Sequence, residues 1–187
     1  MLIFHEIVSP QDAYFRFADA LYVSSFPVDE RRESLMWFEL MKENAGFHVI
    51  VALWSDDNKK QEPVGLMCYW EFSAFLYVEH LAITTSCRRQ HYGTTLIEHV
   101  GLKGKPIVLE VEPDSDEWTH NRLLFYQSMG FVQPYYNYLQ PPYGGGKQSV
   151  ALWLLSNCPE WLHVHVDDVK QTLYIKVYQI ESIEKEK

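Results

Sequence analysis

The sequence predicts a mixed α/β fold: a twisted central sheet of about seven strands, flanked by helices and followed by a C-terminal helix. Three observations carry this reading. Residues 75–138 alternate strand, helix, strand, helix, strand, which is the pattern of βαβ-type crossovers. Residues 47–83 hold three apolar, β-rich runs separated by short polar breaks, as in an antiparallel meander. The 187 residues are 47% hydrophobic and 22% charged, which suits one packed domain and excludes disorder as the main state.

The elements follow in order. Residues 2–8 read as a strand stopped by Ser9-Pro10. Residues 11–25 read as a helix with Ala13, Phe17, Ala20, Leu21 and Ser24 near one face, broken at Phe26-Pro27. Asp29 is placed to cap a second helix running to about Glu43, with Leu35, Met36, Leu40 and Met41 at helical spacing. Strands are expected at 47–54, 63–72 and 75–83, with a turn at 55–58. Residues 88–100 read as a helix with Tyr92, Leu96, Ile97 and Val100 as its stripe, ended at 101–104. A strand at 106–111 precedes a helix at about 116–129, ended by Gly130, in which Trp118, Phe125 and Met129 are expected to face the core. Extended chain resumes at Phe131, and 150–155 is the last strand. Residues 162–183 read as a terminal helix along Leu162, Val166, Val169, Leu173, Val177 and Ile180. The domain division expected is 1–157 for the α/β domain and 158–187 for a C-terminal helical extension packed on or beside it.

Charge narrows the function. Lysine and arginine total 16 against 25 acidic residues, a net charge of −9. Such a surface is poor for nucleic acid, since it has no excess cations to displace counterions from phosphates. It suits a cationic small molecule or a basic peptide. No apolar run is long enough to span a membrane, and the N-terminus lacks signal-peptide character. Three cysteines without CxxC spacing suggest neither a disulfide framework nor a zinc site, so a reduced, cytoplasmic setting is expected.

One stretch departs from this acidic background. A strand ending at Ile83 runs into a loop carrying Arg88 and Arg89, and then into a helix opening at Gly93 with Thr94 and Thr95. Two arginines oppose the positive end of a helix unless an anion sits there, which favours a phosphate-bearing ligand over a merely solvated turn.

This segment, Arg88-Arg89-Gln90-His91-Tyr92-Gly93, resembles the pyrophosphate loop of GNAT superfamily N-acetyltransferases, Arg/Gln-x-x-Gly-x-Gly/Ala. His91 stands where the family has its first glycine. Downstream, Phe125-Tyr126-Gln-Ser-Met-Gly130-Phe131 resembles the family's helix end. The likeness spans about Leu2 to Leu155. It implies acetyl-CoA as co-substrate, with its pyrophosphate on Arg88, Arg89, Gln90, His91, Tyr92, Gly93 and Thr94. It places the pantetheine arm on the backbone of Leu81, Ala82 and Ile83, and Asn121 as a further coenzyme contact. The coenzyme would lie between two splayed central strands. Tyr126 aligns with the tyrosine that approaches the coenzyme sulfur, and Glu79 lies where the family often has a glutamate base. No metal is implied.

The chemistry fits these residue types. Freeing a lysine-type amine at pH 7 costs about 4.6 kcal/mol, so the proton needs an acceptor, either a carboxylate such as Glu79 or a water chain. Glu79 can equally be a paired carboxylate at the core edge. Tyr126 can hydrogen-bond or protonate the departing thiolate, or simply pack in the core. Glu110 and Glu112 share one strand face and, with Glu33, are candidates to hold a cationic acceptor. The expected activity is acetyl transfer from acetyl-CoA to a primary amine, small-molecule or peptide, by direct attack in a ternary complex. The alternatives are a non-catalytic acyl-CoA sensor or an interaction domain of the same fold, and a homodimer is allowed. His163 and His165 sit in a helix pattern without a third ligand nearby, which argues against a metal there.

Overall fold

The computed structural model describes residues 1–132 and 137–180. These hold seven strands and five α-helices, as the sequence predicts. The chain divides into two compact units, Met1–Pro27 with Arg31–Ile107, and Val28–Glu30 with the residues from Val108 onward.

The first unit is built on four antiparallel strands in sequence order: β1 (Leu2–Glu6), β2 (Phe47–Ser55), β3 (Gln61–Glu71) and β4 (Leu76–Ile83). Val49, Val51, Leu66, Met67 and Leu76 are fully buried, so the central strands read as near-continuous apolar runs covered on both faces. The register brings Leu66 opposite Ala82 and Gly65 opposite Ile83. Gly65 suits this close pairing, because a Cβ would come within 3.1 Å of the Ala82 carbonyl oxygen and would displace the end of the Ile83 side chain, 2.5 Å away. Helices α1 (Phe15–Ser25), α2 (Met36–Glu43) and α3 (Tyr92–Gly101) belong to the same unit.

Two helices differ from expectation. The helix expected from Asp29 is instead a single 3₁₀ turn at Val28–Glu30, followed by extended chain at Arg31, and α2 begins only at Met36. The cause is burial of Arg32 and Ser34, whose polar groups are drawn inward and pull the backbone out of helical geometry. The buried face of α2 is Trp37, Phe38 and Leu40, while Leu35 and Met36 are exposed. In α1 the buried residues are Ala18 and Tyr22 rather than the predicted stripe.

In the second unit β7 (Val150–Ser156) lies between β5 (Ile107–Val111) and β6 (Tyr138–Gln140) and pairs antiparallel with both. Helix α4 (Glu117–Gln127) starts at a capping box, in which Asp116 accepts from the Thr119 amide and Thr119 reaches back to the Asp116 amide. Its buried residues are Thr119, Leu123 and Tyr126, whereas Trp118 is exposed and Phe125 and Met129 are half-buried. The core-facing stripe is therefore rotated from the one predicted, and Tyr126 lies on it. Helix α5 (Pro159–Thr172) begins three residues earlier than expected and ends in a π-helical turn, Leu173–Val177. Leu162, Val169, Leu173 and Val177 are buried as their spacing predicts, and the last three residues of the expected helix fall outside the described ones.

Candidate active site

The basic loop and its helix lie wholly within the first unit. The expected helix start at Arg88 is corrected to Tyr92, because Arg89 and His91 both adopt left-handed backbone, with φ of 62° and 60°. That conformation costs an L-residue with a Cβ about 1–2 kcal/mol and costs glycine nothing. His91 thus keeps the geometry for which a glycine would be chosen. Helix α3 carries no side-chain cap and no acidic residue in its first turn. Its ladder opens with the Thr95 amide on the His91 carbonyl at 3.0 Å, which leaves the preceding amides as the helix's orphan donors. Arg88, Arg89, Gln90 and His91 are exposed, Tyr92 and Thr94 are half-buried and Gly93 is buried.

Strand β4 leads into this loop. The Thr84 amide donates to Val64 at 3.0 Å, and antiparallel pairs alternate between bonded and non-bonded. Ala82 therefore turns its backbone groups toward β3, while those of Leu81 and Ile83 point to the strand's other edge. The Ile83 carbonyl accepts from Arg88 Nε at 3.2 Å, consistent with that direction. Of the three residues expected to offer backbone groups, Ala82 has its own engaged within the ladder.

Glu79 lies on β4 with a side chain only 1% exposed. Its Oε1 accepts from the Arg32 guanidinium and its Oε2 from Trp70 Nε1 at 2.7 Å. Arg32 is held in turn by its own amide, which donates to the Tyr22 hydroxyl at 3.1 Å, and by its cation lying 5.9 Å from the Phe47 ring centre. Burial, then the nearby Cys68 and Glu79, drive the Tyr22 phenol well above its ordinary pKa, and burial does the same to the Cys68 thiol. Glu79 is thus the centre of a buried ion pair. Arg32 and Tyr22 were not singled out from the sequence, and Trp70 stood out only as one of a group of aromatic residues expected mostly in the core. Arg32 is 47 positions from Glu79, and nothing local marks the two as partners.

In the second unit, burial pushes the Tyr126 phenol up to about 12, opposed by the Arg122 charge. Tyr126 packs against Phe131 with ring centres 5.8 Å apart. Asn121 is exposed on α4. Glu112 is ion-paired with Arg122, and Glu110 Oε2 accepts from the Tyr178 hydroxyl at 2.8 Å. Glu110 is on β5 whereas Glu112 lies just past its end, so the shared strand face expected from the sequence is not formed, and the two carboxylates have different partners. Glu33 is exposed in the extended segment before α2. No group of His, Cys, Asp and Glu suited to a metal occurs among the described residues, nor does any of their helices have the length and apolarity to cross a membrane.

An uncapped helix end behind a basic loop, set in an α/β fold, has the geometry that suits an anion. The model of the acetyltransferase (GNAT) domain family matches residues 45–133. A structure from Bacteroides thetaiotaomicron, described as a "putative acetyltransferase from GNAT family", is 31% identical. The alignment covers 96% of this chain and 99% of that one, with a TM-score of 0.82. The chain belongs to the GNAT family of acetyltransferases. The "putative acetyltransferase YjbC" of Bacillus subtilis strain 168 is 32% identical over 108 residues, which are 57% of this chain and 52% of that protein. The match thus spans about half the length of that curated relative. Arabidopsis thaliana NAA60, solved in complex with acetyl-CoA, shares the fold alone: it is 15% identical with a TM-score of 0.55 over 83% of this chain and 97% of that one.

Proposed function

We propose that this chain transfers an acetyl group from acetyl-CoA to the primary amine of a small cationic or peptide acceptor, by direct attack in a ternary complex. One observation carries the proposal beyond family membership. The loop at 88–91 turns through two left-handed residues into an uncapped helix end, with two arginines and no acidic side chain in the first turn. In this reading the amides and side chains of residues 88–94 hold the coenzyme pyrophosphate, and the outward backbone of Leu81 and Ile83 receives the pantetheine arm. Ala82 packs beside it, and Asn121 makes a peripheral contact. Tyr126 donates a hydrogen bond to the departing sulfur. With the phenol near 12 and a thiol near 8.5, full proton transfer is uphill by about 4–5 kcal/mol, so the hydrogen bond itself is the catalytic contribution.

Glu79, tied to Arg32 and Trp70, acts as a fixed anion that orders the acceptor side, and the amine's proton departs through water. Glu33, Glu110 and Glu112 supply the negative field that attracts a cationic acceptor. Three free cysteines suit a reduced, cytoplasmic setting. Saturation of Glu79 also favours one second reading, a non-catalytic acyl-CoA sensor.

Calorimetric titration with acetyl-CoA tests the coenzyme site. Arg88→Ala with Arg89→Ala is expected to weaken binding several-fold or more, and unchanged affinity would remove the pyrophosphate from this loop. Release of free thiol in the presence of polyamines, amino acids, aminoglycosides and peptides then separates enzyme from sensor.

A further inference from the structure

Helix α4 carries Trp118, Arg122 and Tyr126 at successive steps of four, so each is the neighbour of the next along one side of the helix. Helical side chains lean toward the N-terminus, which brings the Tyr126 side chain over the turn that carries Arg122. The Arg122 guanidinium is fixed from two directions. Its Nη1 donates to Glu112 Oε2, just past the end of β5, and its cation lies 5.9 Å from the Trp118 ring centre. The Arg122 side chain is 32% exposed and that of Glu112 27%, so solvent screens the charge only in part. Two further groups feel this charge. Burial raises the Glu30 carboxyl in the 3₁₀ turn, and the Arg122 charge opposes the rise. Burial raises the Tyr126 phenol, and the Arg122 charge opposes that rise as well.

In acetyl transfer the amine nitrogen bonds to the carbonyl carbon and the C–S bond breaks. The sulfur leaves with the electron pair of that bond, and the amine proton departs through water. Negative charge therefore builds on the sulfur that Tyr126 is to meet. A buried phenol donates to an anion more strongly when a fixed cation offsets the charge shared between oxygen and sulfur, and a cation already in place does so without reorganisation. A salt bridge that merely tied α4 to the end of β5 would serve from any turn of the helix. This one stands one turn before the buried phenol.

We infer that Arg122 is a positioning residue for the transfer: clamped by Glu112 and Trp118, its guanidinium holds a positive charge beside Tyr126 and strengthens the hydrogen bond that the Tyr126 hydroxyl donates to the departing sulfur. This role rests on the acetyl-transfer reading and extends it on the sulfur side.

The test uses coenzyme A and does not depend on knowing the acceptor. The full chain, saturated with free coenzyme A, is titrated with base, and ionisation of the bound thiol is followed by the ultraviolet absorbance of the thiolate against the protein alone. The wild type is expected to ionise the thiol at a lower pH than free coenzyme A does. Tyr126→Phe and Arg122→Gln should each move the midpoint up by about half a pH unit or more. Arg122→Gln in the Tyr126→Phe background should move it no further, because the charge acts through the hydroxyl. Arg122→Met keeps an apolar stem over Trp118 and should behave like Arg122→Gln, with thermal midpoints identifying the folded variants. With any amine that is turned over, Arg122→Gln should lower kcat at least about 3-fold and leave KM for acetyl-CoA near its wild-type value. A wild-type thiol midpoint in a folded Arg122 variant, a further shift in the double variant, or a loss confined to KM would overturn this role, while a shifted midpoint in Tyr126→Phe would leave the acetyl-transfer reading standing. Failure to bind coenzyme A, or a wild-type midpoint in Tyr126→Phe, would instead fell the reading of the sulfur site and the role of Arg122 with it.

Discussion

Tyr126 shows how one side chain can satisfy two demands. Its ring is part of the α4 core stripe, and burial keeps its hydroxyl protonated across the physiological range. Tyr126→Phe preserves the packing and removes the donor, so folding and acetyl-CoA affinity should be near-unchanged. Steady-state turnover at saturating acetyl-CoA should fall about 10- to 1000-fold, and wild-type turnover would leave the residue a packing role only. His91 offers an opposite test. Its φ of 60° is one that glycine adopts freely, so His91→Gly should stabilise the protein by about 0.5–1 kcal/mol in urea unfolding. A loss of stability would show that the imidazole contributes more than its backbone costs. The role of residue 91 was legible in the sequence only as a departure from a pattern. What the sequence does not state is that the backbone keeps the glycine-like geometry despite the substitution.

Among the elements, strands were the more legible. Phe47–Ser55 and Leu76–Ile83 fall within a residue of their expected bounds, because runs buried on both faces announce themselves by composition alone. The segment before α2 was not legible, since its conformation is decided by a partner 47 residues away. Helical spacing of Leu35, Met36, Leu40 and Met41 is real but incidental, and the buried Arg32 overrides it. Arg32→Ala should accordingly cost about 3–5 kcal/mol, because it strands a carboxylate that is 1% exposed. The double variant Arg32→Met with Glu79→Gln should recover part of that loss in chemical unfolding. If the double variant is no more stable than Arg32→Ala, the pair is not what holds this segment. The start of α4, by contrast, was readable from its acidic residues, and its exact cap was not. Asp116→Ala should lower the thermal midpoint by removing one half of the capping box, and an unchanged midpoint would mean that the cap does not hold the helix start. The candidate site was legible in the same proportion. The loop at 88–93 and Tyr126 carry local patterns, whereas the Arg32–Glu79 and Arg122–Glu112 pairs are assembled only by the fold.

For the molecule as a whole, buried phenols set the response to alkali. Burial raises the Tyr126 pKa from 10.0 to about 12, and Tyr22 and Tyr138 shift in the same direction. A group whose folded-state value is raised contributes stability that is whole below about pH 10 and is lost as the pH climbs through the folded value. Tyr126 alone should account for about 2–3 kcal/mol between pH 10 and 12. Unfolding free energy should therefore fall steeply above pH 10, and less steeply in Tyr126→Phe. Superimposable alkaline limbs would mean that this phenol titrates as in an unfolded chain.

The excursion of Val28–Glu30 into the second unit sets a timetable for synthesis. Asp29 accepts from Gln140 and Gln148, which follow it by 111 and 119 positions, whereas Arg32 waits only 47 for Glu79. At about 5–20 residues per second, the ribosome delivers Glu79 within about 2–10 seconds of Arg32. Gln140 and Gln148 reach the chain about 6–24 seconds after Asp29. The nascent protein can thus moor this segment at Arg32 while Asp29, three residues earlier, still awaits its partners. Chains stalled on the ribosome before residue 140 should be cut by protease around residues 28–30 and spared at the buried pair.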